Sequence, residues 1–519
     1  MRSVQIVIAL VGLATVVAAF ARRIRVPAPS LLVVAGLGVA MIPGVPVIQV
    51  TPEVVSLVVL PPLLYAAGEE LSSRELRRVW RPVAILAVGL VVVSAAAVAA
   101  VAVATLDLSV SLAFLLGAVL ASTDPVAVTA LGRRLSLPPR LQTLVQAESL
   151  FNDATSLILF RIAVGFAVAG GAWTAGRVTG EFLLLAGGGT AMGILVAAGA
   201  AAVRRRTEDP VIETVVSLVT PYFAFVAAEA VHASGVTAVV VASVILGVWA
   251  PRLTGSRTRL QQTAVHHTVV FMMESVVFAL IGLALPDLIR GLSSANQRWF
   301  WPAIAITATL LVVRVAWVFP LAAFQHWRHV GTARPGWQVP AVVTWAGARG
   351  VVPLAAALSI PLVNDAGQPL PYRDLLLVLA TAVIVISLVV QGFTLAPLVR
   401  RAGLAVPAAD TDEMYSRARL RVAEAGMAYL DQLEGLQAAA PVVVDRVRLS
   451  LRNRLELAQE GVDDPGGVRQ TYRQVRRDVV AVQSHELDRM YADGEIDDAT
   501  RRRVQRHLDL EDARFADDR

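Results

Sequence analysis

The sequence predicts an all-α protein that crosses a membrane many times and ends in a charged helical segment. Of its 519 residues, 56% are hydrophobic and only 17% are charged, a balance outside that of ordinary soluble domains. Apolar runs of about 18 to 25 residues, long enough to span a bilayer as helices, recur up to about residue 400. The chain is charged beyond that point, so we predict a membrane domain over residues 1–403 and a separate domain over 404–519.

Thirteen candidate spans lie between breaks that are charged or rich in Pro and Gly. Arg2 precedes the first run as in a secretory signal, but no small-residue cleavage site precedes "RRIR", and a second run follows at once. The first run is therefore interpreted as a true span. The predicted spans are 3–20, 28–48, 51–68, 82–104, 109–131, 140–168, 181–203, 211–231, 235–250, 263–285, 299–324, 339–361 and 373–399.

Arginine occurs in every second loop of this pattern. Loops such as "SSRELRRVWR", "GRRLSLPPR" and "PRLTGSRTR" alternate with loops of little positive charge. The exception is one of the intervening loops, which contains Arg290 and Arg298. Because positive loops stay in the cytoplasm, we predict a multi-pass plasma-membrane protein with its N-terminus outside and its C-terminus inside. Cytoplasmic arginines also account for the net charge of +6, so membrane lipid is an expected partner and nucleic acid is not.

The thirteen spans divide into six, a linker and six, so that spans 5 and 12 correspond in oppositely oriented halves. Span 5 contains the polar segment 122–125 ("STDP"), and span 12 contains Gly347, Arg349, Gly350 and Pro353. Pro removes a backbone donor and Gly tolerates non-helical angles, so each span is predicted to break near the bilayer midplane. Paired breaks in an inverted repeat indicate a transport site; the alternative is two unrelated proline kinks.

Broken helices expose backbone groups that carry partial charges at their ends. Asp124 lies in the break of span 5 and Arg349 in the break of span 12, and each has a sign that can neutralise such an end. We predict this compensating role for both residues. Asp124 can in addition lie close to a transported ion.

Span 6 contains the stretch "AESLFNDATSLILF". Ser149, Asn152, Asp153 and Ser156 are spaced i, i+3, i+4 and i+7, so they share one helix face. A carboxylate in mid-membrane can bind a hard cation through oxygen or can bind a proton. Competition between the two, with alternate opening to each side, is an exchange mechanism. The alternative is a buried polar group used only for helix packing.

Other ionisable residues in the spans need partners or water. We predict a structural ion pair between Glu148 and Arg314 of span 11, with Arg349 as the competing partner of Glu148. Glu274, in mid-span, is a weaker candidate for the transport site. Arg161 lies about 12 Å along the helix from Asp153, close enough to the membrane boundary to reach water.

Three motifs in order, "ASTDPVAVTAL", "AESLFNDATSLILF" and "WAGARGVVPLAAALSIP", resemble the bacterial sodium/proton exchanger branch of the monovalent cation/proton antiporter superfamily. The similarity covers roughly residues 1–400 of this sequence. It implies inverted-repeat protomers of thirteen spans that form homodimers and move a core domain like an elevator. The Asn-Asp pair implies electroneutral exchange that serves pH and cation homeostasis.

The resemblance also implies roles for particular residues. The essential ion-binding carboxylate corresponds to Asp153, its neighbour to Asn152 and a hydroxyl ligand of Na⁺ to Ser149. The span 5 ligands correspond to Asp124 and to the backbone of Thr123.

The chain departs from the family pattern in span 3. Many relatives carry a Glu there, and this position is Ala66 in the present sequence. Glu69 and Glu70 follow one turn later, which makes Glu70 a weaker candidate for the missing carboxylate.

The charged segment from about residue 405 onward has apolar positions at helical spacing, as in "MAYLDQLEGLQ". We predict a small cytoplasmic helical domain that supports dimerisation or binds a regulatory ligand or protein. The sequence has no cysteine, and no nucleophile with a base, phosphate loop or metal cluster is visible. An enzyme is therefore not expected, nor is a cofactor.

The function that the sequence favours is exchange of Na⁺, or of Li⁺ or K⁺, for H⁺ by alternating access. A K⁺/H⁺ antiporter remains an alternative, because Na⁺ and K⁺ bind the same oxygens and differ in the size of cavity they fit. A channel, or a membrane sensor that retains the scaffold, is the alternative from another class.

Overall fold

The computed structural model describes residues 2–24, 27–42, 55–124, 137–169, 175–207, 209–292, 298–328, 336–404, 408–435 and 441–459, together with parts of 475–508. These residues are almost entirely helical. They contain no β-strand, and one isolated antiparallel bridge joins Val363 to Pro369.

The helices that can be delimited follow one another with short connections. They are α1 Arg2–Ile24, α2 Ala28–Ala40, α3 Leu60–Glu69, α4 Ser73–Ala84, α5 Val91–Leu106, α6 Val110–Leu120, α7 Pro139–Ala169, α8 Ala175–Arg204, α9 Pro210–Ala230, α10 Gly235–Leu253, α11 Ser256–Arg290, α12 Phe300–Arg328, α13 Gln338–Trp345, α14 Val351–Leu358, α15 Arg373–Ala402, α16 Ala408–Gly435 and α17 Pro441–Gln459. A π-helical turn, Val55–Val59, leads into α3, and a second, Ile85–Leu90, joins α4 to α5.

Seven helical segments in the described ranges are long and apolar enough to cross a membrane, so the protein is an all-helical, multi-span membrane protein. They are Ser73–Leu106, Pro139–Val168, Gly176–Arg204, Pro210–Ala230, Thr258–Arg290, Phe300–Phe324 and Arg373–Ala402. Shorter apolar helices accompany them: Val11–Ala21, Ala28–Ala40, Ser56–Glu69, Val110–Leu120 and Gly235–Ala250. The predicted count of thirteen spans and the inverted repeat stay predictions.

Glycines bring some of these helices into backbone contact. A Cβ on Gly282 of α11 would lie 2.7 Å from the Leu37 amide nitrogen and 3.0 Å from the Gly36 Cα on α2. A Cβ on Gly117 of α6 would lie 2.9 Å from the carbonyl carbon of Ala95 on α5. Membrane helices associate mainly through such close van der Waals packing, because lipid is as apolar as the helix surfaces.

Both spans that the sequence predicts to be broken contain a non-helical segment. Helix α6 ends at Leu120, and the next residues up to Asp124 are not helical. Helix α13 ends at Trp345, and α14 begins at Val351 after a non-helical connection. Span 12 is therefore discontinuous. The second half of predicted span 5, residues 125–136, lies outside the described residues.

The chain separates into two compact units, Met1–Ala405 and Val406–Arg519. In the second unit α16 and α17 pack as a helical pair. An ion pair joins Arg448 Nη2 to Asp431 Oδ1 over 2.8 Å, and Gly426 faces the side chain of Leu451. The first unit contains the predicted transport residues.

Candidate functional site

One face of α7 binds the end of α6 and the segment that follows it. Ser149 Oγ donates a hydrogen bond of 2.5 Å to the Thr123 carbonyl, and Asn152 Nδ2 donates one of 2.7 Å to Thr123 Oγ1. Ser156 Oγ donates to the Ala118 carbonyl over 2.6 Å. All five residues are buried. The predicted polar face of α7 therefore satisfies carbonyls that the end of a helix leaves without amide partners.

Asp124 lies where the segment after α6 meets the N-terminus of α14. Its amide donates to the Ala348 carbonyl over 2.6 Å, and its Oδ2 accepts a hydrogen bond of 3.2 Å from the Val351 amide. A Cβ on Gly350 would overlap the Asp124 carboxylate, so only glycine permits this approach. Because helix N-termini carry partial positive charge, Asp124 compensates the broken end that belongs to span 12.

Arg349 binds the opposite broken end. Its Nε donates to the Leu120 carbonyl over 3.2 Å, and its Nη1 donates to the Gly347 carbonyl over 2.5 Å. Its amide donates to Ser387 Oγ over 3.0 Å. Leu120 ends α6, so the guanidinium lies at the partially negative C-terminus of that helix. Each broken span thus supplies the charge that compensates the other.

Asp153 has an unsatisfied, buried carboxylate oxygen. Its Oδ1 has no hydrogen-bond partner of regular geometry in the described part of the chain. The groups there that act on the carboxylate are Asp124 and the Ser122 side chain, and neither is basic. A carboxylate removed from water without a basic partner needs a proton or a cation. Asp153 is therefore suited to bind a proton or a cation.

A cavity of about 940 Å³ leads to Asp153. Ser149, Asp124 and Asp153 line its inner end, and exposed side chains such as His267 line its outer end. Glu274 of α11 lines the same cavity. The carboxylate that the sequence singles out is therefore accessible to ions from one end of the helical bundle.

The span 3 position that departs from the family pattern also faces this cavity. Ala66 lines it and contributes no carboxylate. Glu69 Oε2 lies 3.2 Å from His266 Nδ1, and Glu70 Oε1 lies 3.9 Å from His267 Nε2. Both acids thus contact the paired histidines of α11, a contact that sequence reasoning missed because the two segments are far apart in the chain.

Glu148 and Arg314 are brought together on the other side of α7. Arg314 Nη1 lies 2.5 Å from Glu148 Oε1, and Nη2 lies 2.9 Å from Oε2. Arg314 also donates to the carbonyls of Val343 and Thr344. This bidentate pair joins α7, α12 and α13. Arg349, the competing partner in the sequence analysis, binds backbone carbonyls instead.

Arg161, near the end of α7, contacts the corner between α9 and α10. Its Nη2 contacts Glu229 Oε1, and its Nη1 donates to the Ala233 carbonyl over 3.3 Å. Glu229 Oε1 also accepts a hydrogen bond of 3.0 Å from the Gly235 amide. The sequence predicted water as the partner of Arg161, and the observed partner is a carboxylate. The two residues lie on separate helices, and no spacing pattern relates them.

The site offers oxygen ligands for a cation. In the described ranges no three side chains of His, Asp or Glu converge as metal ligands. The oxygens around Asp153 come from two carboxylates, hydroxyls and a backbone carbonyl, which are ligands of hard cations. The arrangement can bind a proton or a cation such as Na⁺ at the same carboxylate.

The chain is similar in sequence to known proteins. Residues 6–401 match the family model described as "Sodium/hydrogen exchanger, transmembrane". The chain is 32% identical to an uncharacterised Na⁺/H⁺ exchanger of Mycobacterium tuberculosis, over 99% of this chain and 96% of that one. It is also 32% identical to the Na⁺/H⁺ antiporter ApNhaP of Aphanothece halophytica, over 76% and 73% of the two chains.

The fold is also similar to a solved structure. The sodium proton antiporter MjNhaP1 from Methanocaldococcus jannaschii superposes with a TM-score of 0.64 at 17% sequence identity. The match covers 78% of this chain and 99% of that chain. The fold of the matched part of the chain is therefore similar to that of a known membrane protein.

Proposed function

Because the chain belongs to the sodium/hydrogen exchanger family, we propose that it is a secondary active antiporter that exchanges Na⁺ for H⁺. Membership in a transporter family means that the protein is not an enzyme. The observation that carries the proposal is Asp153, whose buried Oδ1 has no hydrogen-bond partner of regular geometry in the described ranges and which lies at the inner end of a cavity.

In the proposed mechanism Asp153 binds either a cation or a proton. Ser149, Asp124 and the Thr123 backbone supply further oxygens to the Na⁺, and Asn152 holds Thr123 through its side chain. Occupation by either ion offsets the cost of the buried charge. An empty, charged site is unfavourable away from water, so it moves across the membrane only when it holds Na⁺ or a proton. The opposite fluxes of Na⁺ and H⁺ are therefore coupled.

The proposal includes finer features that the sequence predicted. We propose thirteen spans in an inverted repeat, since each predicted span overlaps a helix in the described ranges. The reciprocal compensation by Asp124 and Arg349 supports the pairing of spans 5 and 12. We also propose a homodimer in the plasma membrane with its N-terminus outside, electroneutral exchange, and a role in pH and cation homeostasis.

The alternatives to Na⁺/H⁺ exchange are transport of K⁺ and action as a channel or sensor. A relative from Bacillus pumilus, 28% identical over 87% of this chain and 69% of its own, is described as a sodium, potassium, lithium and rubidium/H⁺ antiporter. Transport of K⁺ by the present chain is therefore the second candidate. A channel or sensor needs no carboxylate that alternates between two ions, and so the geometry at Asp153 favours antiport.

The test is dissipation of a pH gradient in inverted vesicles after addition of Na⁺, Li⁺ or K⁺. We expect at least one cation to release protons, and we expect Asp153→Asn to abolish the response. Asp287→Asn is the matched control, because this carboxylate pairs with an exposed arginine, Arg290, on the surface of α11. A gradient that no cation dissipates, or full activity of Asp153→Asn, would refute the proposal.

Competition gives a second readout in the same vesicles. If Na⁺ and H⁺ occupy one carboxylate in turn, acidification raises the half-saturating Na⁺ concentration, by about tenfold per pH unit at the acidic limit. The maximal rate at saturating Na⁺ stays the same. Cation flux without proton movement would instead indicate a channel.

A further inference from the structure

Helix α7 is open to the cavity on one side of Asp153 and sealed on the other. The α7 residues that line the cavity extend from Gln146 to Asp153, and the described residues that follow do not line it. The next turns are packed into apolar clusters. The buried members of one of these clusters are Ile158, Ile162 and Phe166 of α7, with Leu185 of α8.

Arg161 and Glu229 lie at this sealed end. Arg161 follows Asp153 by two turns, about 12 Å along the helix axis. Its guanidinium contacts both the Glu229 carboxylate and the Ala233 carbonyl, so it binds the α9–α10 corner at two points. The Gly235 amide at the start of α10 donates to the same Glu229 oxygen. The corner and α7 are thereby held together beyond the ion site.

The site residues move with α7 because they are bonded to one another. Ser149 and Asn152 bind Thr123, and Asp124, next to Thr123, caps α14 at Val351. The α9–α10 corner has no part in these bonds. For Asp153 to face the opposite side of the membrane, α7 must separate from the corner where Arg161 joins them.

We propose that Arg161 and Glu229 form a latch that keeps the far end of the transport path closed while the cavity is open. The latch parts when Asp153 is exposed to the opposite side. This inference rests on the proposed function, since only a transporter with alternating access requires a second opening. Arg161 and Glu229 are then positioning residues, which set the balance between the two states without touching the ion.

The exposure of the pair suits a contact that forms and breaks. The Arg161 and Glu229 side chains are 35% and 32% exposed, so each can exchange its partner for water. Partly exposed ion pairs contribute modestly, and removing this one is expected to shift a two-state equilibrium by about two- to fivefold. Such a bias is sufficient to prefer one state without preventing turnover.

Accessibility of single cysteines tests the proposal, because the natural chain contains no cysteine. Gln146→Cys reports the cavity side, since Gln146 lines the cavity. Leu157→Cys, one turn beyond Asp153 and partly buried, reports the sealed side. The rates of modification of both are measured with a hydrophilic maleimide on the purified full chain in detergent, without Na⁺ and at one fixed pH.

Arg161→Gln and Glu229→Gln are each combined with each reporter. We expect Gln146→Cys to react more slowly and Leu157→Cys to react faster, so that the ratio of the Leu157→Cys rate to the Gln146→Cys rate rises about two- to fivefold. Arg161→Lys retains the charge but loses the two-point contact, so its rates should lie between those of Arg161→Gln and the parent. Arg290→Gln, which breaks the exposed pair with Asp287, is the matched control and should change neither rate.

The two reporters separate a latch from a merely structural contact. Faster reaction at both positions in the Gln variants and in Arg161→Lys would mean loosened packing, and it would overturn the proposal. Unchanged rates at both positions would also overturn it. The assay needs no transport, so failure of the latch is distinguishable from failure of Asp153→Asn to abolish exchange.

Discussion

Two ion pairs on the same helix differ in almost every physical respect. The Glu148–Arg314 pair is bidentate, with both side chains at most 3% exposed, and backbone carbonyls accept further hydrogen bonds from the guanidinium Nε and Nη2. The Arg161–Glu229 pair is about one-third exposed. The first joins α7 to α12 and α13, and the second joins α7 to the α9–α10 corner.

The difference indicates which contacts of α7 are permanent. Separating Glu148 from Arg314 would leave two charges buried without partners, at a cost of several kcal/mol. Separating Arg161 from Glu229 exposes both to water at little cost. Helices α7, α12 and α13 are therefore expected to move as one body, whereas the contact with the α9–α10 corner is reversible.

The largest expected effect comes from removing one partner of the buried pair. Glu148→Gln leaves the Arg314 charge uncompensated, and we expect the free energy of unfolding to fall by about 3–5 kcal/mol. The measurement is the yield of folded protein and its thermal unfolding midpoint in detergent.

The double variant Glu148→Gln/Arg314→Gln is the control for this prediction. It removes both charges and should recover much of the stability that the single variant loses, because the cost arises from the unpaired charge. If Glu148→Gln is as stable as the natural chain, the pair does not hold α7 in place.

A smaller effect is expected at Gly350, where the broken spans meet. A methyl group there would overlap the Asp124 carboxylate and displace it from the Val351 amide that it caps. Loss of a cap costs about 0.5–2 kcal/mol, and we expect Gly350→Ala to lower Na⁺-dependent proton exchange about tenfold in vesicles with matched protein content.

Gly199→Ala is the control for Gly350→Ala, because a Cβ at Gly199 would meet open space. It should leave exchange unchanged. Full exchange by Gly350→Ala would show that the position of Asp124 against α14 is not needed for transport, and that α7 alone defines the site.

Much of this arrangement could be predicted from the sequence because polar residues are few in apolar helices. Helical spacing alone placed Ser149, Asn152 and Asp153 on one face, and these side chains share one environment in the structure. Glu148 had few candidate partners, and Arg314 is the one it contacts. The resemblance read from three motifs is confirmed by the family match over residues 6–401.

Other contacts could not be predicted, because they depend on how distant helices pack. Near a membrane boundary, water is an adequate partner for Arg161, so nothing in the sequence pattern indicates Glu229. The contact between Glu69 and His266 joins two segments whose approach no local pattern specifies. Only the structure shows that Asp124 caps the helix that begins at Val351 and that Arg349 binds the carbonyl at the end of α6, so that each residue contacts the other broken span.

The smallest expected effect comes from removing the ion pair between Arg161 and Glu229. Arg161→Gln removes an ion pair that is about one-third exposed, so we expect the free energy of unfolding to change by less than about 1 kcal/mol. The measurement is the thermal unfolding midpoint under the conditions used for Glu148→Gln. A loss as large as that of Glu148→Gln would mean that the α9–α10 corner is part of the permanent support of α7, and the latch would then be too strong to open during turnover.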